Sequence, residues 1–199
     1  MMKCRNKNRD VSMDAKCQND PKFLVGEKNP DQQEIVKLLE STGRENVKKV
    51  ISWLEENNFF SAPASVKHHN NFAGGLAKHA LDVYREACKL NEEMGLPQSS
   101  VILCSLLHDV CKADQYYMNS KGKPARNEGK IRKGHGRRSM FILKRRCQLP
   151  LNYDEEMAIW WHMGKHEKSK EQFLDDYKES TKIALCSLIQ KADGIAAEQ

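Results

Sequence analysis

The stretch Val101-Ile102-Leu103-Cys104-Ser105-Leu106-Leu107-His108-Asp109 constrains this chain more than any other, because an apolar run of helical length ends in two side chains able to ligate a metal. A helix apolar all round is buried, so it carries His108 and Asp109 to the edge of a core. Burying an imidazole and a carboxylate there costs on the order of several kcal/mol unless something compensates, and a bound cation compensates both. The plainer alternative is an Asp that ends a core helix beside a hydrogen-bonded core His.

The other candidate ligands recur at a regular interval. The helical pattern from Gly75 to about Asn91 puts apolar residues at Leu76, Ala80, Val83, Ala87 and Leu90, and His79 shares their stripe. His135 stands in Gly134-His135-Gly136 before a helix expected from Arg137 to about Cys147. His162 falls four residues after Ala158 on a helix expected over Glu155 to Met163, and Asp193 follows the apolar part of a last helix, Thr181 to about Gln199. Successive positions lie about 25 to 30 residues apart, the length of one helix and its connection, so successive helices can each bring a ligand to one site. Imidazole and carboxylate without thiolate suit divalent Mn, Fe, Co, Ni or Zn.

Taken in order and with their neighbours, these residues resemble a known family. His79 in Gly74-Gly75-Leu76-Ala77-Lys78-His79, Leu106-Leu107-His108-Asp109-Val110-Cys111-Lys112 and Lys191-Ala192-Asp193 look like the signature of the HD-domain metal-dependent phosphohydrolases. Gly134-His135-Gly136 and Trp161-His162-Met163-Gly164 resemble the extra histidines of two-metal members, which include the HD domain of bacterial 3′-5′ exoribonucleases and the cyclic-dinucleotide phosphodiesterases. The resemblance covers about Phe60 to Ala197 and implies an all-α helical bundle in which His79, His108, Asp109 and Asp193 hold one divalent metal ion, Mg among the candidates. It also implies that Asp109 bridges to a second ion held by His135 and His162. Met163 stands where many two-metal members have another His, so the one-metal reading is the firmer, and the GYP extension of cyclic-di-GMP hydrolases is missing.

The chemistry that follows is attack of metal-activated water on a nucleotide or another phosphomonoester or phosphodiester. Asp109 and Lys112 are the expected catalytic pair, Lys112 lying three residues after Asp109 on the same helical side. Lys112, Arg137 and Arg138 are the expected substrate contacts, with His69 of the loop Lys67-His68-His69-Asn70-Asn71. Rival readings are an HD-fold nuclease, or a non-catalytic module that grips nucleic acid.

Those rivals rest on charge. Between Lys121 and Arg146 there are eleven Lys or Arg against one acid, Glu128, so this segment carries +10 and the rest of the chain −4. Such a run is either a solvated face or a surface that meets phosphate. Tyr116 and Tyr117 are the aromatics beside it, sparse for a stacking platform, which favours a small phosphate-containing substrate.

The remaining expectations concern organisation. Residues 1–30 read as a polar tail and 31–199 as one domain, with a helical lead-in over 31–58, a motif-bearing core over 60–197 and a short β-ribbon or plain loop around 115–126. The stretch around Glu167 to Asp176 reads as a polar loop. Seven cysteines without Cys-x-x-Cys spacing suit reduced, buried thiols. No apolar run approaches the roughly 18 residues that span a bilayer and no signal peptide is evident, so no membrane role and a cytoplasmic location are expected.

Overall fold

The computed structural model describes residues 29–130, 134–167 and 170–198; the expected polar tail therefore lies almost wholly outside the described residues. Among them are eight α-helices and one two-stranded ribbon: α1 (Pro30–Ser41), α2 (Val47–Glu56), α3 (Gly75–Met94), α4 (Gln98–Leu107), β1 (Tyr116–Met118), β2 (Pro124–Arg126), α5 (His135–Phe141), α6 (Tyr153–Trp160), α7 (Leu174–Ser180) and α8 (Ala184–Ala197). The architecture is all-α, and the ribbon is antiparallel with Tyr117 opposite Ala125.

Local chemistry explains the helix starts. Asn29 accepts a hydrogen bond from the Asp31 N–H at 3.0 Å, and Pro30 fills the first position of α1, where no amide hydrogen is needed. At α6, Asn152 and Glu155 cap each other reciprocally. Glu155 is fully buried yet satisfied: Arg44 donates to both its oxygens and Ser100 Oγ donates at 2.7 Å. This one carboxylate joins the α1–α2 connection, α4 and α6.

Packing converges on α3, α4 and α8. Helix α3 packs most extensively on α8 and next on α4, α6 packs on α8, and α5 packs on α6. Leu103, Leu106 and Leu107 of α4, Leu76, Leu81 and Val83 of α3, and Leu188 and Ile189 of α8 are all fully or almost fully buried in the shared core. Each such side chain contributes about 1.5–3 kcal/mol of hydrophobic burial, so this core fixes the relative positions of the three helices that carry His79, His108 and Asp193.

Two glycines set close approaches. A Cβ on Gly75 would lie 2.0 Å from the Asn70 carbonyl oxygen, so only glycine lets the 62–74 loop fold back over the start of α3. A Cβ on Gly136 would lie 2.0 Å from the Trp160 carbonyl oxygen, so glycine lets α5 press against the end of α6. Beyond α5 the helix widens over Ile142–Arg146, and the Cys147 N–H reaches the Ile142 carbonyl at 3.1 Å.

The structure corrects the loop expected around Glu167 to Asp176, because α7 begins inside it at Leu174. The reason is tertiary: Phe173 packs edge-on against Trp160 at 5.3 Å between ring centroids, and Tyr177 against Trp161 at 5.5 Å. These aromatic contacts order a segment whose composition is otherwise that of a loop.

Candidate metal centre

His79 comes from the buried face of α3, and Asp193 from the second half of α8. His108 caps α4 in helical geometry, after which Asp109 departs from it at φ −108° and starts a tight turn over Val110–Asp114. That change of direction swings the two adjacent side chains inward together. His162 sits just past the end of α6, where the chain turns.

The side chains meet in one cluster. His79 Nε2 lies 3.1 Å from Asp193 Oδ1 and 4.0 Å from Asp109 Oδ2. His108 Nε2 lies 3.4 Å from Asp109 Oδ2 and 3.7 Å from Asp193 Oδ1. His162 Nε2 lies 3.5 Å from the other oxygen of Asp109, Oδ1. Two donors at about 2.0–2.2 Å from a shared ion stand roughly 2.8–4.4 Å apart, depending on their angle at the metal. All five separations fall in that range.

Two imidazoles are fixed in the protonation pattern a metal needs. His108 Nδ1 lies 2.8 Å from the Ser105 carbonyl oxygen and His162 Nδ1 lies 2.8 Å from the Ile159 carbonyl oxygen. A carbonyl only accepts, so both Nδ1 atoms carry the hydrogen, and in the neutral rings Nε2 keeps its lone pair. Nε2 of His79, His108 and His162 and Oδ1 of Asp109 are buried without a hydrogen-bond partner. Orphaned polar atoms this concentrated are costly, and divalent cations bound among them would satisfy them. Among the described residues, His79, His108 and Asp193 form one group whose donor atoms lie within 4.8 Å of one another, and His108, Asp109 and His162 form a second.

The electrostatics agree with this donor set. Burial alone would raise the Asp109 carboxyl, but the Lys112 ammonium at 2.6 Å, with His108 and His162 beside it, holds it well below the ordinary carboxylate range. Asp193 is likewise opposed by burial and is held low chiefly by His79. Burial pushes His79 down toward the neutral form despite Asp193, whereas at His162 the contact with Asp109 overrides burial and raises it. Burial opposes the Lys112 charge too, and Asp109 overrides that, keeping Lys112 an ammonium. The Cys111 thiol, pushed up by burial to about 12, is no thiolate ligand.

Beside the cluster opens a pocket of about 420 Å³, lined by His68, His69, Lys112, Tyr116, His135 and Met163 among others. The His69 ring lies 4.9 Å from that of His79, so the loop held down by Gly75 closes one side of the site. His135 reaches this pocket with its Nδ1 3.7 Å from Cys111 Sγ, but it belongs to neither of the two close groups. Tyr116 was not anticipated as a site residue; a ribbon starting four residues after Lys112 was the available signal.

Two expected substrate contacts are not brought to this pocket. Arg138 pairs with both oxygens of Asp114, at 3.0 and 2.7 Å, and Arg137 lies over the Phe173 ring, 4.8 Å from its centroid. Helical geometry is the reason: residues one and two positions beyond Gly136, which faces α6, point to other sides of α5 than the pocket-facing His135.

A family model described as HD domain matches residues 76–198, which include His79, His108, Asp109, His135, His162 and Asp193. Neither the curated proteins nor the solved structures contain a match to the chain.

Proposed function

The chain belongs to the HD-domain family, and from that membership and the geometry of its cluster we propose that it is a metal-dependent phosphohydrolase acting on a nucleotide or another small phosphoester. The observation that carries this reading is the set of four buried, unpartnered polar atoms on His79, His108, His162 and Asp109. His79, His108, Asp109 and Asp193 would hold a divalent ion. Bound there, such an ion supplies a water with a pKa near neutrality and a positive charge against the phosphoryl oxygens.

The chain's own residues account for the rest. Lys112 lines the pocket and contacts Asp109, so its ammonium can meet a phosphate oxygen at the mouth of the cluster. His69 and His135 flank the same space and orient a phosphoester toward the donors. Tyr116 offers an aromatic wall for the organic part of the substrate. A pocket of about 420 Å³ is in the range that holds a small molecule, which supports a nucleotide-sized substrate over a polymer inside the site.

A second ion is the one refinement a specific observation favours. Asp109 directs Oδ2 to His108 and Oδ1 to His162, so one carboxylate faces donors on both sides. The test is to strip the purified chain of metal, reload it with Mn, Fe, Co, Ni, Zn or Mg one at a time, measure metal per chain, and assay generic phosphomonoesters, phosphodiesters and nucleotides. At least one ion should bind stoichiometrically and support hydrolysis; a chain that retains no ion and hydrolyses none of them is not this enzyme.

A further inference from the structure

On another side of α5 from His135 lies a groove of about 510 Å³ between α2 and α5. Lys130, Arg138 and Arg146 line it, with the rings of Trp53 and Phe141. It shares no lining residue with the pocket beside the metal cluster. We propose that this groove and the basic surface leading into it dock a single-stranded nucleic acid.

Charge is the first observation. Lys121, Lys123, Arg126, Lys130, Arg145 and Arg146 are all exposed. Other cations of the segment are already engaged: Arg138 with Asp114, Arg137 over Phe173, and Lys144 with Glu156. Among the described residues, Lys121, Lys123, Arg126, Arg145 and Arg146 have no carboxylate within 4.0 Å, and Lys130 only reaches Asp114 at 3.9 Å. The Asn127 N–H donates to the Gln115 carbonyl at 2.8 Å, tying the end of the ribbon to the body and leading its cations toward Lys130 at the groove. Several exposed cations of one segment with no carboxylate partner match a chain of phosphates better than one isolated anion.

The second observation is the rings. Phe141 is 53% exposed and Tyr117 47% exposed, and both lie within or beside the basic segment. An exposed Phe on a groove wall is otherwise a cost, and a base face stacked on it would remove that cost. Stacking needs unpaired bases, so a single strand fits where the stacked interior of a duplex is closed to side chains. In addition, Arg138 Nε is buried without a partner in the groove wall, a donor left over after its pairing with Asp114. Two carboxylates also line the groove: Asp114, paired with Arg138, and Glu56 on α2, which opposes an anion from across it and gives the test a variant expected to bind more tightly.

The experiment is fluorescence anisotropy with labelled oligo-uridine and oligo-thymidine, and a duplex of the same length, on the full chain with and without chelator. Single strands should bind in both conditions, with a log-log salt slope of about −0.7 per phosphate contact. The double variant Lys130→Ala with Arg146→Ala should flatten that slope by about 1.4 in magnitude. Phe141→Ala should weaken single-strand binding about tenfold, and Glu56→Gln should strengthen it. These side chains are charged surface groups or, for Phe141, mostly exposed, so the variants fold, which circular dichroism checks. Absence of binding at about 50 mM salt, equal binding of the duplex, or affinity unchanged in the double variant and in Phe141→Ala would overturn the proposal.

Discussion

Lys112 Nζ stands 2.6 Å from Asp109 Oδ2, while Oδ1 of the same carboxylate faces His162 at 3.5 Å with no hydrogen-bond partner. One buried carboxylate is thus divided between an ammonium that opens onto the pocket and an imidazole that closes the far side of the cluster. The division separates holding an ion from gripping a phosphate, and substitutions can tell the two apart.

Asp109→Asn removes the charge from the centre of the cluster. Metal content should fall by roughly 100-fold at limiting ion, and hydrolysis with it, because Asp109 is the carboxylate shared by His79, His108 and His162. Mass spectrometry of bound metal beside an activity assay checks this; full metal content in the variant would remove Asp109 from the ligand set.

Lys112→Ala should separate the two functions. Metal per chain stays at the wild-type level, whereas kcat/KM for a phosphoester drops about 10- to 100-fold, the loss of one charge-assisted contact to phosphate. Equal loss of metal and activity would make Lys112 a support for Asp109 alone.

Metal affinity should fall with pH from the top of the histidine range downward. Burial holds His79 below its ordinary 6.5, so its neutral, ligating form persists under pH 6.5, whereas His162 is raised by Asp109 and takes up its proton first. Protons therefore compete first at His162. The sign for stability without metal differs between the two: His79 contributes stability that is lost as pH falls below 6.5, and His162 contributes stability present below 6.5 and lost as pH rises through its folded value. Calorimetric titration across pH 5 to 8, a range spanning the histidine value, should show affinity declining on the acid side; pH-independent affinity would exclude histidine ligation.

Gly136→Ala tests how α5 is held. The added Cβ would lie 2.0 Å from backbone at Trp160, and backbone cannot step aside as a side-chain tip can, so the cost should reach about 1–3 kcal/mol or more. Gly194→Ala is the control, since nothing lies within 4 Å of its added Cβ. Melting temperatures of the two variants decide it, and equal values would show that α5 is free to shift.

The all-α class came from the resemblance the motifs carry, while periodicity and the side-chain inventory of the chain determined the stripe carrying His79, the buried end of α4 at His108 and Asp109, and the placement of Asp193 beyond an apolar stretch. Those are properties of a residue and its near neighbours along one helix, which sequence records directly. Tertiary structure decided that Asp109 turns one oxygen to each side, that His135 stops in the pocket outside the close donor groups, and that Arg137 and Arg138 turn away to Phe173 and Asp114. It also decided that Phe173 and Tyr177 order α7 against two tryptophans. Each of these depends on the angle at which one element meets another, and that angle is fixed by close packing across the core, such as α5 seated at Gly136 on the end of α6, which no local pattern along the chain encodes.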